Sequence, residues 1–122
     1  MKREDCPFCH VDSRVVAENE LAAALLDREP ASKGHTLVIP KRHCTSFFEM
    51  TDAEVAACFA LLRAEREKLR AEHRPDGFNV GVNDGAAAGQ SIEHTHLHLI
   101  PRYRGDHPDP RGGVRHVIPT RR

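Results

Sequence analysis

His94-Thr95-His96-Leu97-His98-Leu99 is the stretch on which the reading of this chain turns. Three histidines recur at every second position, with Thr95, Leu97 and Leu99 between them. Successive side chains of a β-strand point to opposite faces, so a strand here puts three imidazoles on one face and the threonine and leucines on the other. The apolar face packs on a core. The imidazole face offers a base, a nucleophile or a metal ligand near neutral pH. The alternative is the exposed polar face of an edge strand, where Thr or Lys is a more usual occupant.

Working outward, the loop Asp84 to Gln90 is rich in Gly and Ala, and Gly85, Gly89, Gln90 and Ser91 lead into the histidines. Glycines let backbone N–H groups approach an anion closely, and Gln90 and Ser91 add neutral donors. Such a loop beside three histidines suits a phosphate; alone it also reads as an ordinary hairpin connection. Phe78, Val80 and Val82 alternate with Asn79, Gly81 and Asn83, which predicts a strand. His35 to Ile39 predicts another, stopped by Pro40. Val15 to Glu18 and Leu21 to Asp27 flank Asn19-Glu20 as a hairpin, and Pro30 to Gly34 is a turn-rich connection. One helix starts at Thr51, where Thr51 and Glu54 form a capping box, and runs to about Glu72 before Arg74-Pro75 and Asp76-Gly77 end it. Val55, Phe59, Leu62 and Leu69 mark its apolar stripe; Glu65, Arg66, Glu67 and Lys68 read as a solvated face. Strands, one long helix, then strands predict an α+β domain with an antiparallel sheet of about five strands.

At 122 residues the chain fits a single domain, 1–122, with an Arg-, Gly- and Pro-rich tail over 103–122. There is no internal repeat and no linker. Zero net charge argues against bulk attraction to nucleic acid or to a membrane surface, and scarce aromatics with no Trp give a stacking platform for single strands little support. No apolar run approaches the length of a membrane span and no secretory signal opens the sequence. Four cysteines in that setting point to a reducing compartment, so the expected localisation is cytoplasmic.

Cys6-x-x-Cys9 forms a second constellation with His43 and His94. Two thiolates and two imidazoles supply a closed tetrahedral zinc site. A redox dithiol would want a thioredoxin-like context, which is missing; two free cysteines in a mobile arm is the plain alternative. Cys44 and Cys58 have no partners at metal spacing and read as packing residues, and His10 is a geometrically poor ligand beside Cys9.

Gly89-Gln90-Ser91-Ile92-Glu93-His94-Thr95-His96-Leu97-His98-Leu99-Ile100-Pro101-Arg102 resembles the signature of the histidine triad (HIT) family. Asp27, the run Gly34 to His43 and Asn83-Asp84-Gly85 match upstream, so the likeness extends from about Cys6 to Arg102. It implies a HIT-like fold, a homodimer, and nucleotide hydrolysis or nucleotidyl transfer. The implied substrates are diadenosine polyphosphates, nucleoside phosphoramidates or aminoacyl-adenylates. By the same resemblance His96 attacks the α-phosphorus and carries a covalent nucleotidyl group. His98 and Gln90 assist, and Asn83, Gly89, Ser91, Gln90 and His98 contact the phosphates. Asp27 matches the ribose contact. Phe8, Leu25, Leu26 and Leu37 are candidates for the base pocket, with core packing as the alternative for each. His35 has a match without an assigned role. In a subset of the family Cys6, Cys9, His43 and His94 hold a structural zinc. Arg102, Arg104, Arg111 and Arg115 of the tail either reach distal phosphates or belong to an arm packed on a neighbouring subunit; His107 and His116 read as surface residues. Two other classes stay in view. A nucleotide-binding regulatory protein has no need of the His96 nucleophile, and a zinc-binding interaction module leaves His96, His98 and the Gly-Gln-Ser loop without a purpose.

Overall fold

Five strands form one sheet in the order β1-β2-β3-β5-β4, antiparallel at every pairing, in the computed structural model, which describes residues 3–118. The strands are β1 (Val15–Glu18), β2 (Ala22–Leu26), β3 (Thr36–Pro40), β4 (Gly77–Val82) and β5 (Leu97–Arg102). A single long helix, α1 (Asp52–His73), joins β3 to β4. The fold is therefore α+β with five antiparallel strands and one helix, as expected. The last four residues of the tail lie outside the described residues.

The chain itself explains each joint. In the β1–β2 hairpin the Asn19 Oδ1 accepts from Leu21 N and Ala22 N at 3.1 and 2.9 Å. Asn19 Nδ2 donates to Ala57 O at 2.9 Å, which ties the turn to α1. The predicted capping box is present: Thr51 Oγ1 accepts from Glu54 N at 3.1 Å and Glu54 Oε1 accepts from Thr51 N at 2.8 Å. Glu54 then holds Arg42 through two 2.8 Å contacts, which keeps its carboxyl down at about 2 and pins the segment that carries His43.

Two cores sandwich the sheet. On the helix side Ala22, Ala24, Val38, Leu97 and Leu99 pack against Cys58, Leu61, Leu62 and Leu69. On the other side Ala23, Leu25, Leu37 and Ile39 are covered by the N-terminal arm through Cys6, Phe8, Cys9 and Val11. Cys44 and Cys58 are packing residues, and burial pushes the Cys58 thiol up to about 12.

The helix stripe differs from expectation. Phe59 is exposed, and the inward row is Cys58, Leu61, Leu62, Glu65 and Leu69. Glu65 is not solvated; it is 3% exposed and pairs with Lys68 Nζ at 3.0 Å. At 3.6 residues per turn Glu65 falls in line with Cys58, Leu61 and Leu69, and the lysine beside it offsets the cost of placing a carboxylate there.

The histidine strand also starts later than the alternation suggests. The ladder begins at Leu97, which pairs with Val38 and Val82. His94 to His96 lie in the chain just before it. Continued in the same register, β3 would set Ile39 opposite His96 and Pro40 opposite Thr95; Pro40 has no N–H to offer the ladder, and its carbonyl accepts from His94 Nε2 at 2.8 Å.

Candidate active site and metal centre

The three imidazoles sit on the arm side of the sheet, His94 and His96 of them under Phe8. His94 is fully buried and His96 is 8% exposed. The Phe8 ring meets both edge-on, with centroids 6.1 Å from His94 and 5.0 Å from His96. His96 and His98 rings are 5.0 Å apart.

Backbone groups decide which nitrogen of each ring carries the proton. A carbonyl can only accept, so the 3.0 Å contact of His96 Nδ1 with His94 O places a proton on Nδ1. In the neutral ring Nε2 then holds the lone pair, and it has no hydrogen-bond partner among the described residues. An amide N–H can only donate, so the 2.9 Å bond from Ala31 N makes His35 Nδ1 the acceptor and puts the His35 proton on Nε2. That nitrogen lies 2.9 Å from His98 Nδ1 and 3.4 Å from Asp27 Oδ2. His98 Nδ1 accepts, and His98 Nε2 is left as the donor. Asp27 Oδ1 is held by Glu29 N at 2.9 Å. Asp27, His35 and His98 come within ligand distance of one another. A metal on His35 Nε2 would force a proton onto Nδ1, directly against the Ala31 N–H, so this group is a hydrogen-bond chain and not a metal site. His35, without an assigned role in the sequence, is its middle member; its position opposite Asp27 becomes visible only once β2 and β3 are paired.

Burial pushes His98 down to about 4, with the neighbouring His96 and His35 adding to the shift, and lowers His35 as well. An unfolded chain protonates both near about 6.5. Between those values the unfolded state binds more protons, so stability rises with pH through the window and is lost as pH falls toward about 4. The urea midpoint is expected to be lower at pH 5 than at pH 7.5; equal midpoints would contradict a neutral His35–His98 pair.

The second cluster is Cys6, Cys9, His43 and His94, whose ligand atoms all lie within 4.8 Å of one another. Cys6 Sγ is 3.4 Å and Cys9 Sγ 3.6 Å from His94 Nδ1, and Cys9 Sγ is 3.3 Å from His43 Nδ1. Tetrahedral zinc bonds of about 2.3 Å to sulfur and 2.05 Å to nitrogen put ligand atoms roughly 3.6 Å apart, so the set fits. The second shell fits too: the Pro40 carbonyl holds the His94 proton on Nε2 and frees Nδ1 for a metal. His10 is outside the cluster, with Nε2 3.0 Å from Arg3 O.

Other expected site residues are distributed as follows. Gly89 adopts φ +96°, which favours glycine, and lies beside Asn83, since a Cβ there would stand 4.0 Å from Asn83 Nδ2. Gln90 is occupied: its Nε2 donates to Thr45 O and Ile92 O at 2.8 and 3.0 Å, and its Oε1 accepts from Gly85 N at 2.8 Å. In this structure it staples the 85–92 loop. Ser91 lines a cavity of about 210 Å3 beside Arg3, Cys6 and His43. Phe8, Leu25 and Leu37 share one apolar cluster, joined by Val11, which the sequence reading missed because it sits in an irregular arm. A cavity of about 400 Å3 opens there, lined by Phe8, Val11, Val15 and Ile39. Leu26 does not belong to it; β2 alternates, and Leu26 is 52% exposed on the opposite face.

Arg102 and Arg111 are paired within the tail. Arg102 stands four strand residues beyond His98, roughly 13 Å along β5. Its guanidinium pairs with both Asp106 oxygens at 2.8 Å, and Arg111 pairs with Asp109 at 2.9 Å. Arg102 and Arg104 instead line a cavity of about 590 Å3 at the far end of the sheet.

A family model described as the HIT domain matches residues 9–105. The AP-4-A phosphorylase of Mycobacterium tuberculosis is 40% identical over 93 residues, 75% of this chain and 48% of that protein, so the chain spans about half its length. A HIT family protein from Bacillus anthracis has a similar structure, with a TM-score of 0.77 at 41% identity over 82% of this chain and 74% of that one. A zinc-bound histidine triad family protein from Mycobacterium smegmatis gives 0.75 at 36% identity, covering 86% and 84% of the two chains.

Proposed function

The chain belongs to the HIT domain family, and from that premise we propose that it cleaves or transfers the nucleotidyl group of a nucleotide conjugate through His96. One observation carries the reading: the His96 ring gives its Nδ1 proton to the His94 carbonyl and keeps a lone pair on Nε2, beside His98 with a proton on its own Nε2. Nε2 of His96 attacks the α-phosphorus, an N–P bond forms, and the bond from phosphorus to the leaving group breaks. The ring becomes cationic, and the His94 carbonyl stabilises it through the stronger Nδ1–H bond. His98 Nε2–H points its proton at the charge that develops on the phosphoryl oxygens, the largest contribution expected in phosphoryl transfer. Water or another acceptor then attacks the nucleotidyl-histidine, the N–P bond breaks, and its electron pair returns to Nε2. Asp27 Oδ2, Asn83 and the Gly89 amide serve the sugar and phosphates, and Phe8 and Val11 give the base an apolar wall.

Zinc is the metal this reading assigns to Cys6, Cys9, His43 and His94, and its bonds would cross-link the arm to the segment that carries His96. The catalytic step needs no ion at phosphorus. We also infer a homodimer. β4 is an edge strand, paired among the described residues with β5 alone, and Val80 and Phe59 are exposed. Sedimentation equilibrium is expected to give twice the 13.7 kDa chain mass; a monomer at micromolar concentration would sink the dimer. A cytoplasmic setting suits four cysteines that form no disulfide among the described residues, and no described helix is long and apolar enough to cross a membrane.

The experiment that tests the function is a turnover panel read by mass spectrometry: adenosine phosphoramidate, an aminoacyl-adenylate and diadenosine polyphosphates. AMP release from at least one supports the enzyme, and the fastest narrows the leaving group. AMP bound tightly with no turnover on any would favour the regulatory binding protein.

A further inference from the structure

The 28–34 loop has no regular structure, yet it delivers the one amide that decides where the His35 proton sits. Local bonds anchor it, Glu29 N to Asp27 Oδ1 at 2.9 Å and Thr36 Oγ1 to Gly34 O at 2.8 Å, and three further contacts hold its middle. Ser32 Oγ donates to Pro101 O at 2.5 Å, Tyr103 Oη donates to Lys33 O at 2.7 Å, and His35 N donates to Ser32 O at 3.1 Å. Gly34 turns the corner at φ +94°, where an added Cβ would meet Leu69 and His73 of α1 at 3.0 Å. Tyr103 is itself oriented: its amide donates to Asp106 Oδ2 at 3.0 Å, the carboxylate that Arg102 grips.

We propose that the start of the C-terminal tail is a positioning element for His98, in which Tyr103 and Ser32 clamp the 28–34 loop so that the Ala31 amide occupies His35 Nδ1. The physical logic is a chain with two possible directions. Either His35 Nε2–H donates to His98 Nδ1, which leaves His98 Nε2 protonated and able to serve the phosphoryl oxygens, or His98 Nδ1–H donates to His35 Nε2, which leaves His98 Nε2 bare. The second direction puts a proton on His35 Nδ1, against the Ala31 N–H. Asp27 Oδ2 at 3.4 Å favours the first direction as well, but it touches only Nε2. The Ala31 donor blocks the second direction outright, provided the loop stays in place. An irregular segment keeps one position only when side-chain contacts offset the backbone entropy of fixing it. The Pro101 carbonyl of β5, which accepts from Ser32, and the Tyr103 hydroxyl just after the strand supply those contacts. Arg102 and Asp106 thereby acquire a use that needs no phosphate.

The inference rests on the nucleotidyl-transfer reading for its catalytic consequence, and its spectroscopic consequence needs no substrate. The variant is Tyr103→Phe combined with Ser32→Ala in the full, metal-loaded chain; each change removes one hydroxyl and leaves the core untouched. Nitrogen-15 spectra of the histidine rings are expected to show a single tautomer for His35 and His98 in the wild type and a second His98 form, protonated at Nδ1, in the variant. With the best substrate of the panel, kcat is expected to fall about tenfold while KM stays within about threefold. The Tyr103→Phe single variant should lie between. Unchanged ring spectra in the double variant overturn the clamp, whatever happens to turnover. A second tautomer with wild-type kcat overturns its catalytic role.

Discussion

His96→Ala is expected to lower turnover by about four orders of magnitude, close to 5.5 kcal/mol of transition-state stabilisation. The size follows from the role. A donor that only stabilises the developing phosphoryl charge costs about 100- to 1000-fold when removed, whereas removing the atom that forms the bond removes the covalent path. Nucleotide affinity should remain within about threefold, because Asp27, Asn83, His98 and the Gly89 amide are untouched. The fold should survive as well. His96 packs edge-on to Phe8 with its centroid 5.0 Å away, so the loss is one side of an aromatic contact, on the order of 1–2 kcal/mol. The decisive readings are kcat, AMP binding by calorimetry, and the intact mass of enzyme quenched rapidly and kept at neutral to basic pH, where an N–P bond persists, which should show an added nucleotidyl group in the wild type alone. Turnover of the variant within tenfold of wild type would remove His96 as the nucleophile.

Cys6→Ser combined with Cys9→Ser is expected to abolish metal binding and to lower the melting temperature by roughly 10–20 °C. Elemental analysis of protein purified without chelator should find about one zinc per chain in the wild type and none in the variant. Net stabilisation of about 3–5 kcal/mol is reasonable for a closed site in a chain that already has a core, and for a domain of this size each kcal/mol moves the midpoint by about 4 °C. The consequence extends beyond stability. His94 is two residues before His96, its carbonyl holds the His96 proton, and its Nδ1 faces both thiols. Loss of the metal is expected to loosen that carbonyl and so to reduce kcat, by less than the removal of His96 itself. Zinc-free wild-type protein with an unchanged melting temperature would show that the four residues form no metal centre.

Much of this was legible along the chain because it depends on local patterns. The strand at β4, the capping box at Thr51 and Glu54, and the end of β3 at Pro40 are properties of neighbouring residues and sit where the pattern puts them, although burial along β4 does not alternate, since Val80 is exposed while Asn79 is half-buried. The Cys6-x-x-Cys9 turn and the histidine repeat supply three of the four residues that could hold a metal, and the run Gly34 to His43 supplies the fourth, His43. The misreadings share a cause. Glu65 looked solvated and Phe59 looked buried because a 22-residue helix offers several overlapping stripes, and the sheet beneath it selects one. Leu26 looked like its neighbour Leu25, and one step along a strand turned it to the other face.

What the sequence determined by itself is the set of chemical groups and their local order: the imidazoles, the thiols, the apolar rows, the turn residues and hence the α+β class. Tertiary structure alone decided the protonation of those groups. His35 and His98 are 63 residues apart, Ala31 reaches His35 across a turn, and Pro40 meets His94 across 54 residues. Whether an imidazole nitrogen is a lone pair or a donor depends on the single group facing it, and that partner is set by sheet register and loop position, which no local pattern encodes.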